Sequence, residues 1–393
     1  MALNLLEGFD SFTTTAYIAT KHSWRTNNGV ASIVGGKNGN ALRLKNASVS
    51  GSQGAYEGVQ DLTLTFASPI SGGAGYVGFA FRRSTNNLPS GGTLWTLANF
   101  GGFGGSGFGL FINSSGQVNA RTTVSLGTST ALAYNTWYYI EVYMKPSTGG
   151  PTGAATVWLN GVQFATLGGS AALTGTLSQT DLLAKTNSAG APSSIISFDF
   201  DNIYVCDVSG SYNNSRLGPV QVTTLFPSSD NSVAWSRTGG SGTNYSCVND
   251  ADPDGDTSYV SSGTGGTIDR YGLTNLAITQ TVIGLQTNLV AKVVGNVAPL
   301  WKISGTDYVG NTYATSASPY KYGSQTYDTN PGTSAAWTQS DINAAFFGLK
   351  RITGSGGSAL RVTQATVDVG QHDPTWDPAP SANPAGALLL MLA

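Results

Sequence analysis

The run Asp250-Ala251-Asp252-Pro253-Asp254-Gly255-Asp256 sets four carboxylates at alternate positions around a glycine turn. Hard oxygen donors so spaced are what a calcium loop uses. The twelfth position of an EF-hand loop needs an acidic residue, and Ser261 stands there. A Pro-Asp-Gly turn between strands accounts for the same letters without metal. Asp250, Asp252, Asp254 and Asp256 are therefore candidate ligands of a structural calcium that cross-links a loop. No other cofactor is predicted.

Other chemistries find fewer parts. Glycoside hydrolysis uses two carboxyls about 5–10 Å apart, and the glutamates, Glu7, Glu57 and Glu141, are far apart in sequence. Glu141 shares a strand face with Tyr139 and Tyr143 and could edge a groove, or could be a solvated strand carboxylate. Asp199 and Asp201 flank an expected bulge, where aspartate forms turns. His22 and His372 stand near opposite ends, which leaves few partners for a Ser–His–Asp triad or a zinc site. Gly102 to Gly107 satisfies GxGxxG, but a strand follows it instead of a helix, so it reads as a glycine-rich turn. On these grounds the sequence predicts no enzyme. A milder chemistry remains: Trp95, Tyr139, Tyr143 and Trp158 miss the core alternation. They could form a platform for sugar rings, or fill the second face of a sandwich or a subunit interface.

The elements that must position these groups are strands. In Trp137–Lys145, Tyr138, Ile140, Val142 and Met144 fall on one face and Trp137, Tyr139, Glu141 and Tyr143 on the other. Ala155, Val157 and Leu159 alternate likewise. Asn160-Gly161 then supplies a type I′ hairpin turn before Val162 and Phe164. Further strands read from Leu62/Leu64/Phe66, Val77/Phe79/Phe81, Leu94/Leu97 around Trp95, and Phe108/Leu110/Ile112. In SFDFDNIYVCD (197–207) the apolar phase changes after Phe200, which predicts a bulge near Asp201-Asn202.

The segments TWYYIEV, VWLNG, GKNGNALRLKN and DFDNIYV resemble those of the concanavalin A-like (laminin-G-like) jelly roll. The resemblance covers roughly residues 1–212 and implies a β-sandwich of a kind that serves lectins, glycosidases and virion modules. After SGSYNNSRLGP (209–219), a linker-like run, residues 213–370 form a second block. Its strands are predicted at 281–285, 289–294, 300–303 and 359–369. A short helix is predicted over Ser340–Phe347, capped by Ser340, with Asp341 in its first turn. The order RLGP…FP…W…VNDADPDGDTSYVSS resembles a module of tailed-bacteriophage structural proteins. Residues 371–393 carry Pro374, Pro378, Pro380 and Pro384 and predict an extended docking arm.

Composition agrees. Charged residues are 10 % of the chain, against roughly 25 % in typical soluble domains. The 52 glycines suit short strands joined by many turns. A net charge of −2 gives no electrostatic reason for nucleic acid as partner. No apolar run approaches the ~20 residues of a membrane span. The start, MALNLLEGFDSF, lacks the basic and apolar regions of a secretion signal. Cys206 and Cys247, read as lying in different domains, predict two buried free thiols.

The expected architecture is all-β: a jelly-roll sandwich, a smaller β-domain with one short helix, and an extended C-terminal arm. The resemblance implies a non-enzymatic structural protein of a tailed-phage virion, placed in a fibre, baseplate or collar, with adhesion to host-surface glycans. Capsid decoration is one alternative, and a polysaccharide-binding or -cleaving protein is another. Expected partners are other virion proteins and copies of the chain, as a trimer.

Overall fold

The computed structural model describes residues 2–27, 30–46, 59–70, 73–89, 94–100, 108–147, 153–171, 173, 177–186, 196–293, 295–315, 319–353 and 359–376. Strands dominate it and make two β-sandwiches, the first from Leu3 to Asp207 and the second from Val220 to His372. The first sandwich has an inner sheet, facing the second sandwich, and an outer one. The inner sheet orders Val162–Ala171, Gly153–Leu159, Trp137–Lys145, Gly75–Arg83, Ser197–Asp207, Asn40–Lys45 and Val30–Gly35. Leu3–Glu7 pairs with the second half of Ser197–Asp207. The outer sheet orders Ser125–Ala131, Gln117–Arg121, Phe108–Ile112, Trp95–Phe100, Leu177–Thr186, Val59–Ile70 and Ser23–Asn27.

The alternation in the sequence decides which face is core. Ile140, Val142, Met144, Val157 and Leu159 pack with Phe79, Phe81, Leu110, Phe198 and Phe200. Asn160 (φ 47°) and Gly161 (φ 78°) make the expected hairpin turn. Pairing with Gly75–Arg83 slips between Asp201 and Tyr204, with Asn202 at φ 51°, so the bulge falls where the apolar phase changes. Cys206 and Cys247 are buried free thiols, one in each sandwich.

In the second sandwich the inner sheet orders Ser236–Thr238, Tyr259–Ser262, Leu360–His372, Val282–Lys292 and Lys321–Tyr327, with Val220–Leu225 along Leu360–His372. The outer sheet orders Pro227–Ser232, Ile268–Leu273, Phe346–Thr353, Gly295–Ile303 and Thr306–Val309, with Tyr313–Thr315 on Gly295–Ile303. Trp301 centres this core, its ring 5.2 Å from Trp337 and 5.5 Å from Phe347.

Three local expectations are corrected. The strands read at 281–285 and 289–294 form one strand, Val282–Lys292, because the polar Gln286-Thr287-Asn288 between them is buried ladder and not a turn. The helix spans Gln339–Ala344 and is capped by Thr338 rather than Ser340. Thr338 Oγ1 accepts from the Asp341 N–H and Asp341 accepts from the Thr338 N–H, a reciprocal box that Ser340 is too late to make. The C-terminal arm does not begin at 371. Gln371 and His372 end a strand, and Pro374–Trp376 form a 3-10 turn that buries Trp376. The rest of the arm lies outside the described residues, as do Gly102–Gly107.

The two sandwiches meet along Leu3–Glu7. Leu3 and Leu6 press onto Gly284 and Gly370, which are paired neighbours in the facing sheet. A Cβ on Gly370 would come within 2.9 Å of a Leu6 methyl, and one on Gly284 within 2.8 Å of a Leu3 methyl, so a side chain at either glycine would push the leucine from its present seat. The free edge of Leu3–Glu7 is satisfied by side chains of the second sandwich. Asp328 accepts from the Ala2 and Leu3 N–H groups, and Gln286 both accepts from the Leu6 N–H and donates to its carbonyl.

Beside this strand lies a buried charge cluster. Lys21 Nζ sits 2.7 Å from Glu7 Oε2 and 3.4 Å from Asp368 Oδ2, and His22 Nε2 is 2.7 Å from the same Glu7 oxygen. Thr224 and Asn288 donate to Asp368 at 2.7 and 2.8 Å. Burial alone would raise the Glu7 carboxyl, but Lys21 and His22 outweigh it and hold it at about 2. Burial also raises Asp368, which Lys21 offsets in part. Nearby Asp10 accepts from the Asn40 N–H at 2.7 Å. Burial, reinforced by repulsion from Asp368 and Glu7, pushes its pKa up to about 7.

Two outcomes follow from the cluster. Lys21→Met leaves two buried carboxylates without their cation and should destabilise the chain by about 3–5 kcal/mol, read as a lower urea midpoint. The folded pKa of Asp10 exceeds its unfolded value, 3.8 against about 7. The folded state therefore holds the extra proton in that window, and stability falls as pH rises through it. Asp10→Asn should flatten the fall in melting temperature between pH 5 and pH 8, a loss on the order of a few kcal/mol in the wild type.

Candidate functional site

The four aromatic residues picked out by sequence do not form one platform. Trp95 is 3 % exposed and belongs to the core on the outer sheet. Tyr139 is 1 % exposed, its hydroxyl donating to the Asn202 carbonyl and its ring set edge-on to Trp376 at 5.7 Å. Tyr143 and Trp158 are half-buried on the inner sheet. Tyr143 lies against Tyr76 at 5.0 Å, and Trp158 lies under the Arg216 guanidinium at 5.1 Å. Glu141 edges no groove. It is buried, accepting from Tyr204 at 2.7 Å and pairing with Arg216 at 2.8 Å. Burial raises its pKa in spite of both partners.

The four aspartates also diverge. Asp252 accepts from Thr13 and Thr14 of the first sandwich, tying the two halves together. Asp254 accepts from Ser258 and Thr363, and Asp250 lies 3.5 Å from the Ser258 hydroxyl. Asp256 takes Lys292, Arg361 and Tyr320, and these donors, Lys292 foremost, lower its pKa to about 2 against the opposing effect of burial. Among the described residues no group of three acidic, histidine or cysteine side chains converges on a point where a metal could sit.

What the fold does assemble is on the face of the outer N-terminal sheet turned away from the second sandwich, here termed the open face. Leu62, Leu64, Leu182, Ala184, Leu110, Val118 and Ala120 take the core positions, so the residues between them point outward. Cross-strand register then lines up Thr63, Asp181, Asn99, Gly109 and Arg121 across five strands. At about 4.8 Å per strand the row is about 19 Å long. A second row runs Thr96, Phe111, Asn119. Thr63, Thr96, Asp181 and Asn119 are recessed, at most 8 % exposed, while Asn99, Phe111 and Arg121 are half-buried and form the accessible part of the two rows.

Thr63 donates to Asp181 at 2.7 Å. Asn119 donates to Ser125 at 3.0 Å, and its carbonyl oxygen, buried, has no partner among the described residues. Gly109 leaves room for its neighbours, since a Cβ there would lie 2.8 Å from Asn99 Oδ1 and 3.0 Å from Phe111. Carboxylate, amides, guanidinium, hydroxyl and one aromatic ring form a hydrogen-bonding track suited to a polyhydroxylated ligand. Asp181 is the single carboxylate among the described side chains of these two rows, so they do not supply the carboxyl pair of hydrolysis. The sequence signal was present as polar residues out of phase in apolar strands: Asn99 in WTLANF, Asn119 and Arg121 in QVNAR, Asp181 in TDLLA. A search for exposed aromatics passes over it.

No protein-family model matches the chain, and no curated protein does. Solved structures do. The cellulose-induced protein Cip1 aligns at 17 % identity and TM-score 0.39, over 55 % of this chain and 99 % of its own. An endo-beta-1,4-glucuronan lyase from the fungus Trichoderma reesei aligns at 15 % and 0.37, over 47 % and 91 %. An alginate lyase from Chlorella virus aligns at 11 % and 0.39, over 51 % and 98 %. The likeness is one of fold, the β-sandwich already visible in the sheets. The expectation that the chain is not an enzyme is corrected by these neighbours: with polysaccharide lyases among them, that exclusion does not stand.

Because no three of these carboxylates converge on one point among the described residues, and Asp252 and Asp256 are turned to partners of their own, adding a chelator should leave the melting temperature unchanged. A drop on chelation, reversed by calcium, would show that the loop rearranges around a metal.

Proposed function

We propose that the chain recognises a polysaccharide laid across the open face of the outer N-terminal sheet, and that cleavage, where it occurs, takes place on this face. One observation carries the reading. Of the two broad faces of the first sandwich, the inner is largely covered by the second sandwich, and the outer bears Thr63, Asp181, Asn99 and Arg121 in one row, with Asn119 beside Phe111 in the next. Sugar hydroxyls take hydrogen bonds from the amides and guanidinium and give them to the carboxylate, while Phe111 meets an apolar ring face. A row spanning five strands suits an extended chain better than a single ring. Proton transfer in any cleavage would turn on Asp181, with Arg121 holding a substituent of the sugar.

Titration calorimetry against a panel of polysaccharides tests this. Asn99→Ala and Arg121→Ala should each weaken the retained ligand about tenfold, roughly 1.4 kcal/mol, and Tyr143→Phe should not. Release of new chain ends, lost in Asp181→Asn, would add cleavage to binding. Unchanged affinity in the Asn99→Ala/Arg121→Ala double variant would end the proposal. A tailed-phage particle, the setting the sequence suggests, is a separate proposal about location, tested by electron microscopy of antibody-labelled particles.

A further inference from the structure

A cleft of about 760 Å³ lies away from the open face, where the Asn160-Gly161 hairpin, the edge strand Ser125–Ala131 and the turn Pro374–Trp376 meet. Its walls include Trp137, Phe164 and Trp376, with Asn160, Gln163 and Lys37 between them. Trp137, Trp376 and Asn160 are held by their surroundings. Arg82 lies over the Trp137 ring at 4.6 Å and is itself paired with Asp199. Trp376 is held by its turn, in which Asp373 accepts from the Thr375 N–H and hydroxyl, and by its edge-on contact with Tyr139. Its indole N–H, buried, has no acceptor among the described residues. The Asn160 side-chain oxygen accepts from the Tyr139 N–H at 2.7 Å.

Lys37 is the unusual member. It sits at the tip of the hairpin joining Val30–Gly35 to Asn40–Lys45, whose backbone is pinned by two carboxylates, Asp201 buried and Asp10 half-buried. Asp201 accepts from the Lys37 N–H at 2.8 Å and Asp10 from the Asn40 N–H at 2.7 Å. The ammonium lies 5.0 Å from the centre of the Trp376 ring. Arg43 and Arg82 nearby share Asp199, but among the described residues no carboxylate pairs with the Lys37 ammonium. An aromatic cleft with a half-buried cation lacking a counter-ion, and with two amides at hand, is complementary to a ring that carries a carboxylate and hydroxyls.

We propose that this cleft is a second glycan site, selective for a uronic-acid unit. The carboxylate faces Lys37, an apolar ring face lies on Trp137, and hydroxyls meet Asn160 and Gln163. The site shares no residue with the open face and does not depend on it. Neutral sugars would leave Lys37 unused, and an acidic peptide would use Lys37 without a ring for Trp137.

Tryptophan fluorescence of the full chain, titrated with oligoglucuronate and with its carboxyl-reduced form, tests the proposal. The acidic oligomer should bind at least tenfold more tightly, and added salt should narrow the gap. Lys37→Met should level the two ligands, Lys37→Arg should restore the preference, and Trp137→Phe should weaken both. Asn99→Ala should change none of this. Equal binding of the two oligomers by the wild type, or a preference surviving in Lys37→Met, would overturn the site. So would tighter binding of oligoaspartate than of oligoglucuronate. Loss of uronate binding in Asn99→Ala but not in Trp137→Phe would also overturn it, by moving the ligand to the open face and leaving the earlier reading intact.

Discussion

A lysine caught between two carboxylates at the seam of two sandwiches sets the terms for the rest of this molecule. The first sandwich brings Glu7 and Lys21, the second brings Asp368, and all three are almost wholly out of water. A buried ion cluster adds little stability over well-packed apolar side chains, but it is costly to break. Its effect is therefore to fix position: the charges neutralise one another only when Leu3–Glu7 lies along Val282–Lys292 and Leu360–His372 in one register. The Leu3 and Leu6 contacts with Gly284 and Gly370 demand the same register from packing alone.

Fixing that seam decides which surfaces are left for ligands. The inner sheet of the first sandwich has the residues a site-hunter would choose: Glu141, Tyr139, Tyr204 and Cys206. All are buried against the second half of the chain. Burial raises the Glu141 and Cys206 pKa values, and the thiol is left protonated and inert. Groups that could do chemistry in a cleft here do structural work, which leaves the opposite face and the edge cleft for the proposed ligands.

The few acidic residues are spent in the same way. Asp199, Asp201, Asp269 and Asp368 are at most 1 % exposed. Asp199 binds Arg43 and Arg82, Asp201 pins the Lys37 hairpin, and Asp269 accepts from the Ala234 and Trp235 N–H groups. In a turn-rich chain, loop N–H groups that leave the sheet ladders need acceptors, and an ionised carboxylate is a strong one. This is why acidic residues in the sequence signal loop closure more often than catalysis here.

Local pattern was enough to read the sandwich strands, the Asn160-Gly161 turn, the bulge after Asp201 and the separation of the two thiols, because each depends on neighbours within a few residues. The helix was legible too, though its cap was displaced from Ser340 to Thr338. Gln286-Thr287-Asn288 separated two predicted strands because polarity alone cannot show that Leu6 and Asp368, distant in sequence, supply the partners. Likewise the four aspartates suggested one loop, yet their ligands come from 239 residues away at Thr13 and 105 at Arg361. Side-chain periodicity determined the sheets. Which face of them meets water, and so which residues can meet a ligand, was decided only when two sandwiches closed around Lys21, since burial and charge pairing are properties of the assembled chain.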